Sequence, residues 1–275
     1  MKTLCARTCP PERSAGSAFS FRHPFTRISL AAAFVLLAFS LNAQAPDAVP
    51  VSGEHHHHLE IENSFVRAYY VELPPHESTL LHRHELDYIF VSLGPSDIMN
   101  APLGKPELHQ ALKNEEMHFA RGGLVHVARN LSDKPFRNLT IAFVHPQQNV
   151  RNRCEKIIDG PLNDCPTSAE ATAKSDSVSP GRIPLFETDE IFGELLTLAP
   201  HVKHTEAKAK YAALLLGLED AHLKVHITGQ SSVKLGSGGI LWLPANRDSD
   251  FSATGKTPAR YILLYFKDSP ADPKP

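Results

Sequence analysis

Apolar and polar residues along this chain fall into short runs rather than long helical stripes. Past residue 45, "FVRAYYVEL" (65–73), "YIFVSL" (88–93), "NLTIAFV" (138–144), "AHLKVHI" (221–227), "GILWLP" (239–244) and "RYILLYF" (260–266) are rich in β-branched and aromatic residues. Gly, Pro, Asn and Asp clusters separate them. Alternation sends successive side chains to opposite faces of a strand, and no stretch beyond residue 45 carries helical periodicity over a useful length. Short strands at this spacing predict an all-β sandwich or barrel rather than βαβ units.

One apolar run differs in kind. Residues 28–41, "ISLAAAFVLLAFSL", are uncharged and follow Lys2, Arg7, Arg13, Arg22 and Arg27, with Glu12 the sole acid before them. A basic n-region, an apolar h-region and Ala43-Gln44-Ala45 read as an export signal over 1–45, cleaved after Ala45. The run is shorter than the roughly 20 residues that a membrane span needs. An uncleaved N-terminal anchor is the alternative, since Pro46 would directly follow the cut. The expected location is periplasmic or extracellular, with no stable membrane span after cleavage.

The chain also repeats itself. "YIFVSLGPSD" (88–97) and "YAALLLGLED" (211–220) share Tyr, Leu, Gly and Asp at an offset of 123, and the same offset lays "KPFRNLTIAFV" (134–144) on "TPARYILLYFK" (257–267). Upstream, Pro75-His76 matches Pro200-His201 at an offset of 125. Two ungapped blocks at one offset indicate a duplication. Between the copies, "NDCPTSAEATAKSDSVSPGR" (163–182) has linker composition, with almost no large apolar residues.

At 275 residues the chain can hold two modest domains. It has 28 Lys and Arg against 30 Asp and Glu; without residues 1–45 these become 23 and 29, a formal charge of −6. That balance gives nucleic acid no reason to bind. Beyond the leader only Cys154 and Cys165 remain, with ten residues between them that include Gly160 and Pro161. An even pair in an exported chain reads as a disulfide closing a small loop, with two reduced thiols as the alternative.

The candidate chemistry sits in "LLHRHELDYIFVSLG" (80–94), where alternation puts His82 and His84 on one face and Arg83 on the other. Some 40 residues on, "GLVHVARN" (123–130) supplies His126 and Asn130. Together these segments resemble the cupins, whose first motif is Gly-x5-His-x-His-x3,4-Glu-x6-Gly and whose second is Gly-x5-Pro-x-Gly-x2-His-x3-Asn. His82 and His84 match the first pair; Gly123, His126 and Asn130 match the end of the second. The resemblance implies a bicupin, two tandem double-sheet jelly-roll barrels: residues 46–162 metal-binding, 163–182 linker, and 183–275 degenerate. It further implies His82, His84 and His126 as ligands of a divalent transition metal.

The departures are informative. His76 stands where the first motif opens with Gly, and Glu115 and Arg121 replace Gly and Pro in the second. The acid is missing too, because the position four residues after His84 holds Tyr88. Asp87 has the carboxylate but the opposite strand parity, and a β-bulge would be needed to turn it inward as a further ligand. In the second copy the offset of 123 lays His82 on Thr205, His84 on Ala207, His126 on Ser249 and Asn130 on Ala253; Asp87 falls on Lys210 and Tyr88 on Tyr211. That copy is therefore expected to be metal-free.

Three imidazoles with open positions suit Fe, Mn, Ni, Cu or Zn, and the sequence does not choose among them. The reaction that the resemblance favours is a metal-dependent dioxygenation of a small organic substrate, with Tyr88 or Asp87 assisting proton transfer. A non-catalytic module binding a metal or small ligand is the alternative, since one barrel hosts many functions. The partner in either case is a small molecule, and the oligomeric state stays open. The tract His55 to His58 reads as a solvated approach to a strand, and Arg121 as a candidate for shaping an anionic or polar pocket.

Overall fold

The computed structural model describes residues 47–153, 181–218 and 222–267. The expected export leader and the expected disulfide between Cys154 and Cys165 lie outside the described residues. Among those described, no helix is long and apolar enough to cross a membrane.

In the first copy the strands are β1 (Val49–Pro50), β2 (His57–Glu62), β3 (Val66–Leu73), β4 (His82–His84), β5 (Tyr88–Ser92), β6 (Ser96–Pro102), β7 (Leu108–Leu112), β8 (Met117–Ala120), β9 (Leu124–Asn130) and β10 (Phe136–Phe143). They form two five-stranded sheets, ordered β1-β4-β9-β6-β7 and β2-β3-β10-β5-β8. The chain continues through β11 (Arg151–Asn152), β12 (Gly181–Glu187), β13 (Ile191–Leu198), β14 (Lys203–Glu206), β15 (Ala212–Gly217), β16 (Leu223–Ile227), β17 (Val233–Leu235), β18 (Ile240–Leu243), β19 (Ser249–Ala253) and β20 (Ala259–Phe266). These make a six-stranded sheet, β11-β12-β13-β20-β15-β18, and a four-stranded one, β14-β19-β16-β17. Each copy is thus the expected double-sheet jelly roll, and the chain is all-β.

Strands β10 and β20 are buried on both faces because both faces are covered. The sheet of β2, β3, β10, β5 and β8 shares one buried cluster with the six-stranded sheet. Val66, Leu139, Ile141 and Phe143 meet Ile191, Leu216, Ile262 and Phe266 there. Phe65 stacks on Trp242, ring centroids 5.7 Å apart. Each large side chain so buried contributes about 1.5–3 kcal/mol. Gly238 belongs to this contact: at φ +74° it lets the chain pass so close to Tyr70 that a Cβ would sit 2.7 Å from the ring.

The two interiors differ. Inside the second barrel Leu196, Leu215, Leu223, Val225, Phe251 and Tyr261 fill the space. Inside the first, the buried apolar cluster is only Leu73, Ile98, Leu112 and Phe136, and a cavity of about 70 Å³ remains.

Two boundaries shift from the sequence reading. Gly181 and Arg182, placed in the linker, belong to β12. Asn152, placed in the first barrel, pairs with Phe186 of β12 and so joins the second barrel's sheet. The offset of 123 also fails locally. His82 pairs with His126, but Ser249, the counterpart of His126, pairs with Glu206 and not with Thr205. The pairing of β14 is shifted by one residue from that offset, so Glu206 takes the inward place.

Candidate metal centre

Antiparallel pairing of β4 with β9 puts His82 directly opposite His126, and directly opposed residues share a face. His84, two residues on, joins them. All three are buried, His126 the most open at 9% exposure. Their ring centroids lie 4.5 Å (His82 to His126), 5.0 Å (His82 to His84) and 5.2 Å (His84 to His126) apart. His82 Nε2 and His84 Nε2 stand 3.1 Å from each other. Two nitrogens sharing an ion at about 2.1 Å each would lie about 3.0–3.4 Å apart, for angles between right and tetrahedral.

A fourth ring belongs to the cluster. His57, first residue of β2, is 4.9 Å from His82 and 5.8 Å from His84 between centroids. Ligand nitrogens of His57, His82 and His84 all fall within 4.8 Å of one another. The reading of residues 55–58 as a solvated approach is therefore corrected. His55 and His58 are exposed, but His56 is buried and the His57 side chain is only 5% exposed. Four consecutive histidines cannot announce which of them faces inward; Glu54, an acid three residues before His57, was the available signal.

The outer nitrogens fix the tautomers. His82 Nδ1 donates to the Leu80 carbonyl (2.9 Å), His126 Nδ1 to Asn100 Oδ1 (2.8 Å) and His57 Nδ1 to Glu54 Oε2 (2.6 Å). Each bond leaves the Nε2 lone pair of its ring free to face inward. His126 Nε2 is buried with no hydrogen-bond partner, as an orphaned ligand atom would be. His84 Nδ1 and Tyr69 Oη are likewise unpartnered, and both residues border a small cavity of about 20 Å³.

Burial and neighbouring charge keep these groups in the states that a cation needs. Desolvation lowers His82 to about 4 and, with the neighbouring imidazoles His82 and His57, His126 to about 3. His84 is held well below its usual range by burial and then by the other three rings. For Glu54 burial acts upward, yet the His57 hydrogen bond and charge, with the backbone N–H groups of Leu80 and His56, bring its carboxyl down to about 2. Neutral imidazoles at His82, His84 and His126 are a donor set for a divalent transition metal.

Asp87 is not part of it. Its Oδ1 accepts the Gly122 N–H (2.9 Å), and its Oδ2 accepts the Gln147 N–H (2.9 Å) and Arg121 Nη1 (2.8 Å). No bulge turns it inward, because three donors already hold it on the other face. The expectation of Asp87 as ligand or proton carrier is thereby corrected. Arg121, bonded to Asp87 and to the Gln147 carbonyl and lying over the Phe119 ring, does not line the cavity either. Tyr88 does. Its ring stacks on His84 at 4.2 Å, and burial raises its hydroxyl above the ordinary range, so Tyr88 Oη keeps its proton.

The cavity beside the four rings is walled by Leu73, Phe90, Ile98, Leu112 and Phe136, with Asn100, Gln110, Asn138 and Thr140 as polar points. None of the described residues that line it is Lys, Arg, Asp or Glu. In the second barrel the place equivalent to the histidine cluster holds a charge network. Arg182 bonds both oxygens of Glu206 (2.7 and 2.6 Å) and Oε2 of Glu194 (2.8 Å), while His204 and the Tyr265 hydroxyl also reach Glu206.

No protein-family model matches the sequence, and no curated protein matches it. Solved structures do match. Salicylate 1,2-dioxygenase from Pseudaminobacter salicylatoxidans superposes with a TM-score of 0.52 at 12% identity, over 74% of this chain and 71% of that one. A structure of that enzyme's adducts with gentisate gives a TM-score of 0.50 at 12% identity, over 74% and 68% of the two chains. A cupin domain from Bordetella pertussis Tohama I matches at 23% identity over 32% of this chain and 90% of its own, with a TM-score of 0.31. The likeness is one of fold: the described residues have the two-barrel architecture of a bicupin.

Proposed function

We propose that this chain is an exported, metal-dependent oxidoreductase of the dioxygenase type that acts on a small, uncharged organic substrate. The observation that carries the reading is the gathering of the His57, His82 and His84 ligand nitrogens, with the His126 ring against His82, beside an apolar cavity whose described lining residues include no Lys, Arg, Asp or Glu. A divalent transition metal held by these rings would supply Lewis acidity and, for iron or copper, one-electron redox chemistry.

The rest falls to the protein. Leu73, Ile98, Leu112 and Phe136 bind the apolar body of the substrate and exclude water from it. Gln110 and Asn138 offer hydrogen bonds that orient it. Tyr88 Oη, keeping its proton, donates to a substrate oxygen rather than acting as a base. A cavity near 70 Å³ admits a molecule of only a few heavy atoms unless it opens at its mouth. The structural neighbour acts on salicylate, an anion; with no Lys or Arg in the lining, a neutral compound such as a phenol or enol is favoured here. Export rests on the leader over 1–45.

Substrate-dependent O₂ consumption tests the reading. Mature protein made without air is loaded in turn with Fe, Mn, Ni, Cu and Zn, then offered neutral phenols and enols beside salicylate and gentisate. Turnover of a neutral compound, abolished by His82→Ala, is expected. Stoichiometric binding without turnover under every metal would leave a binding module instead.

A further inference from the structure

The cupin first motif places a carboxylate next to its histidines, and here Tyr88 occupies that neighbourhood, stacked on His84. A metal set without any acid would leave the ion's two positive charges uncompensated in a buried pocket. The structure holds a buried acid one ring further out. The Glu54 side chain is 0% exposed, and Oε2 lies 2.6 Å from His57 Nδ1. Its oxygens also accept the N–H groups of His56 (3.0 Å) and Leu80 (3.3 Å). No Lys or Arg among the described residues pairs with it; besides His57, the basic side chain that comes within 3.5 Å is that of the exposed His55.

Burying a carboxylate in that manner is costly unless a cation stands close. His57 links Glu54 to the cluster, since its ring is held at Nδ1 and its ligand nitrogen gathers with those of His82 and His84. The second barrel supplies a control. Arg182 pairs with Leu196 as His57 pairs with Val71, so the residue at this position is a permanent cation where His82 and His126 have given way to Glu206 and Ser249. The position exchanges together with the motif histidines.

We infer that His57 is a fourth histidine of the metal set, and that Glu54, bonded to the outer nitrogen of its ring, supplies the negative charge that the missing motif acid would have carried. The carboxylate acts through an imidazole instead of touching the ion, so Glu54 is a positioning residue. This rests on the metal-binding part of the proposed function.

The test reads the ligand set rather than turnover. Copper(II)-loaded wild-type chain, His57→Ala, Glu54→Gln and the His82→Ala/His84→Ala double variant are compared by electron paramagnetic resonance, and X-ray absorption counts imidazoles on the zinc-loaded forms. Wild type should show one more coordinated nitrogen than His57→Ala. Glu54→Gln should keep the nitrogen count but weaken metal affinity by about 10–100-fold in chelator competition. The double variant retains Glu54, His55 and His56 and so reports any adventitious binding by that group. Should His57→Ala fail to fold, His57→Gln carries the comparison. Identical spectra and affinities in wild type and the His57 variant, with metal lost from the double variant, would overturn this inference and leave the motif site standing. A wild-type chain that takes up no metal would overturn both.

Discussion

His57 and Arg182 occupy the same place in the two barrels. Each lies opposite the sixth residue of a strand, Val71 of β3 or Leu196 of β13, whose first residue pairs with Phe143 or Phe266. One position thus serves a candidate metal cluster in the first barrel and a salt-bridge network in the second. The two copies solve one problem, how to fill a barrel's centre with polar groups, in opposite ways.

The Arg182 network should be sensitive to loss of its cation. Arg182→Met leaves Glu194 and Glu206 facing each other inside the barrel, which should cost about 3–5 kcal/mol. Adding Glu194→Gln and Glu206→Gln should recover part of that loss. Denaturant unfolding of the single and triple variants checks this; equal stability of Arg182→Met and wild type would contradict it.

The same network gives the protein an acid limit. Burial acts upward on the Glu206 carboxyl, but His204 and Arg182 bring it down from 4.5 to about 2. A depressed folded-state value means that the unfolded chain binds the proton first. The stabilisation is therefore complete above about pH 4.5 and is lost as pH falls toward 2, about 3 kcal/mol in all. Glu194, raised by burial, works in the opposite sense. Tm measured between pH 7 and pH 3 should fall less steeply in Glu206→Gln than in wild type.

The joint between the barrels depends on Gly238. Its φ of +74° opposes a side chain, and so does the Tyr70 ring, which would lie 2.7 Å from a Cβ at this position. Gly238→Ala should lower stability by about 1–3 kcal/mol. Pairing it with Tyr70→Ala should relieve the clash, so that the double variant is more stable than the sum of the two losses implies. Strict additivity would show that the strain is in the backbone alone.

Occupancy of the cavity can be separated from occupancy of the metal cluster. Ala128 lines the cavity but is not one of the clustered rings, and Ala128→Phe should fill much of the space. Metal content should stay near one ion per chain while turnover of the neutral substrate drops by at least about tenfold. Unchanged turnover would place the substrate elsewhere.

A good part of this was legible in the chain itself. Strand alternation and the duplication are patterns of the chain itself, because a period of two and a repeat offset survive without knowledge of what packs on what, and the resemblance to the cupin motifs implied the joining of His82 and His84 with His126. Three-dimensional packing decided the rest. The inward turn of His57 depends on the register of β2 against β3, with its irregularity between Leu59 and Ile61, and on a carboxylate buried three residues away. Asp87 was withdrawn from the site by donors from Gly122 and Gln147, 35 and 60 residues along the chain. Glu206 took the inward place in β14 through a one-residue change of pairing that no offset in the sequence reveals. The sequence determined which side chains alternate and repeat; only the tertiary structure decided which of them share a centre, because hydrogen bonds and register between distant strands set that choice.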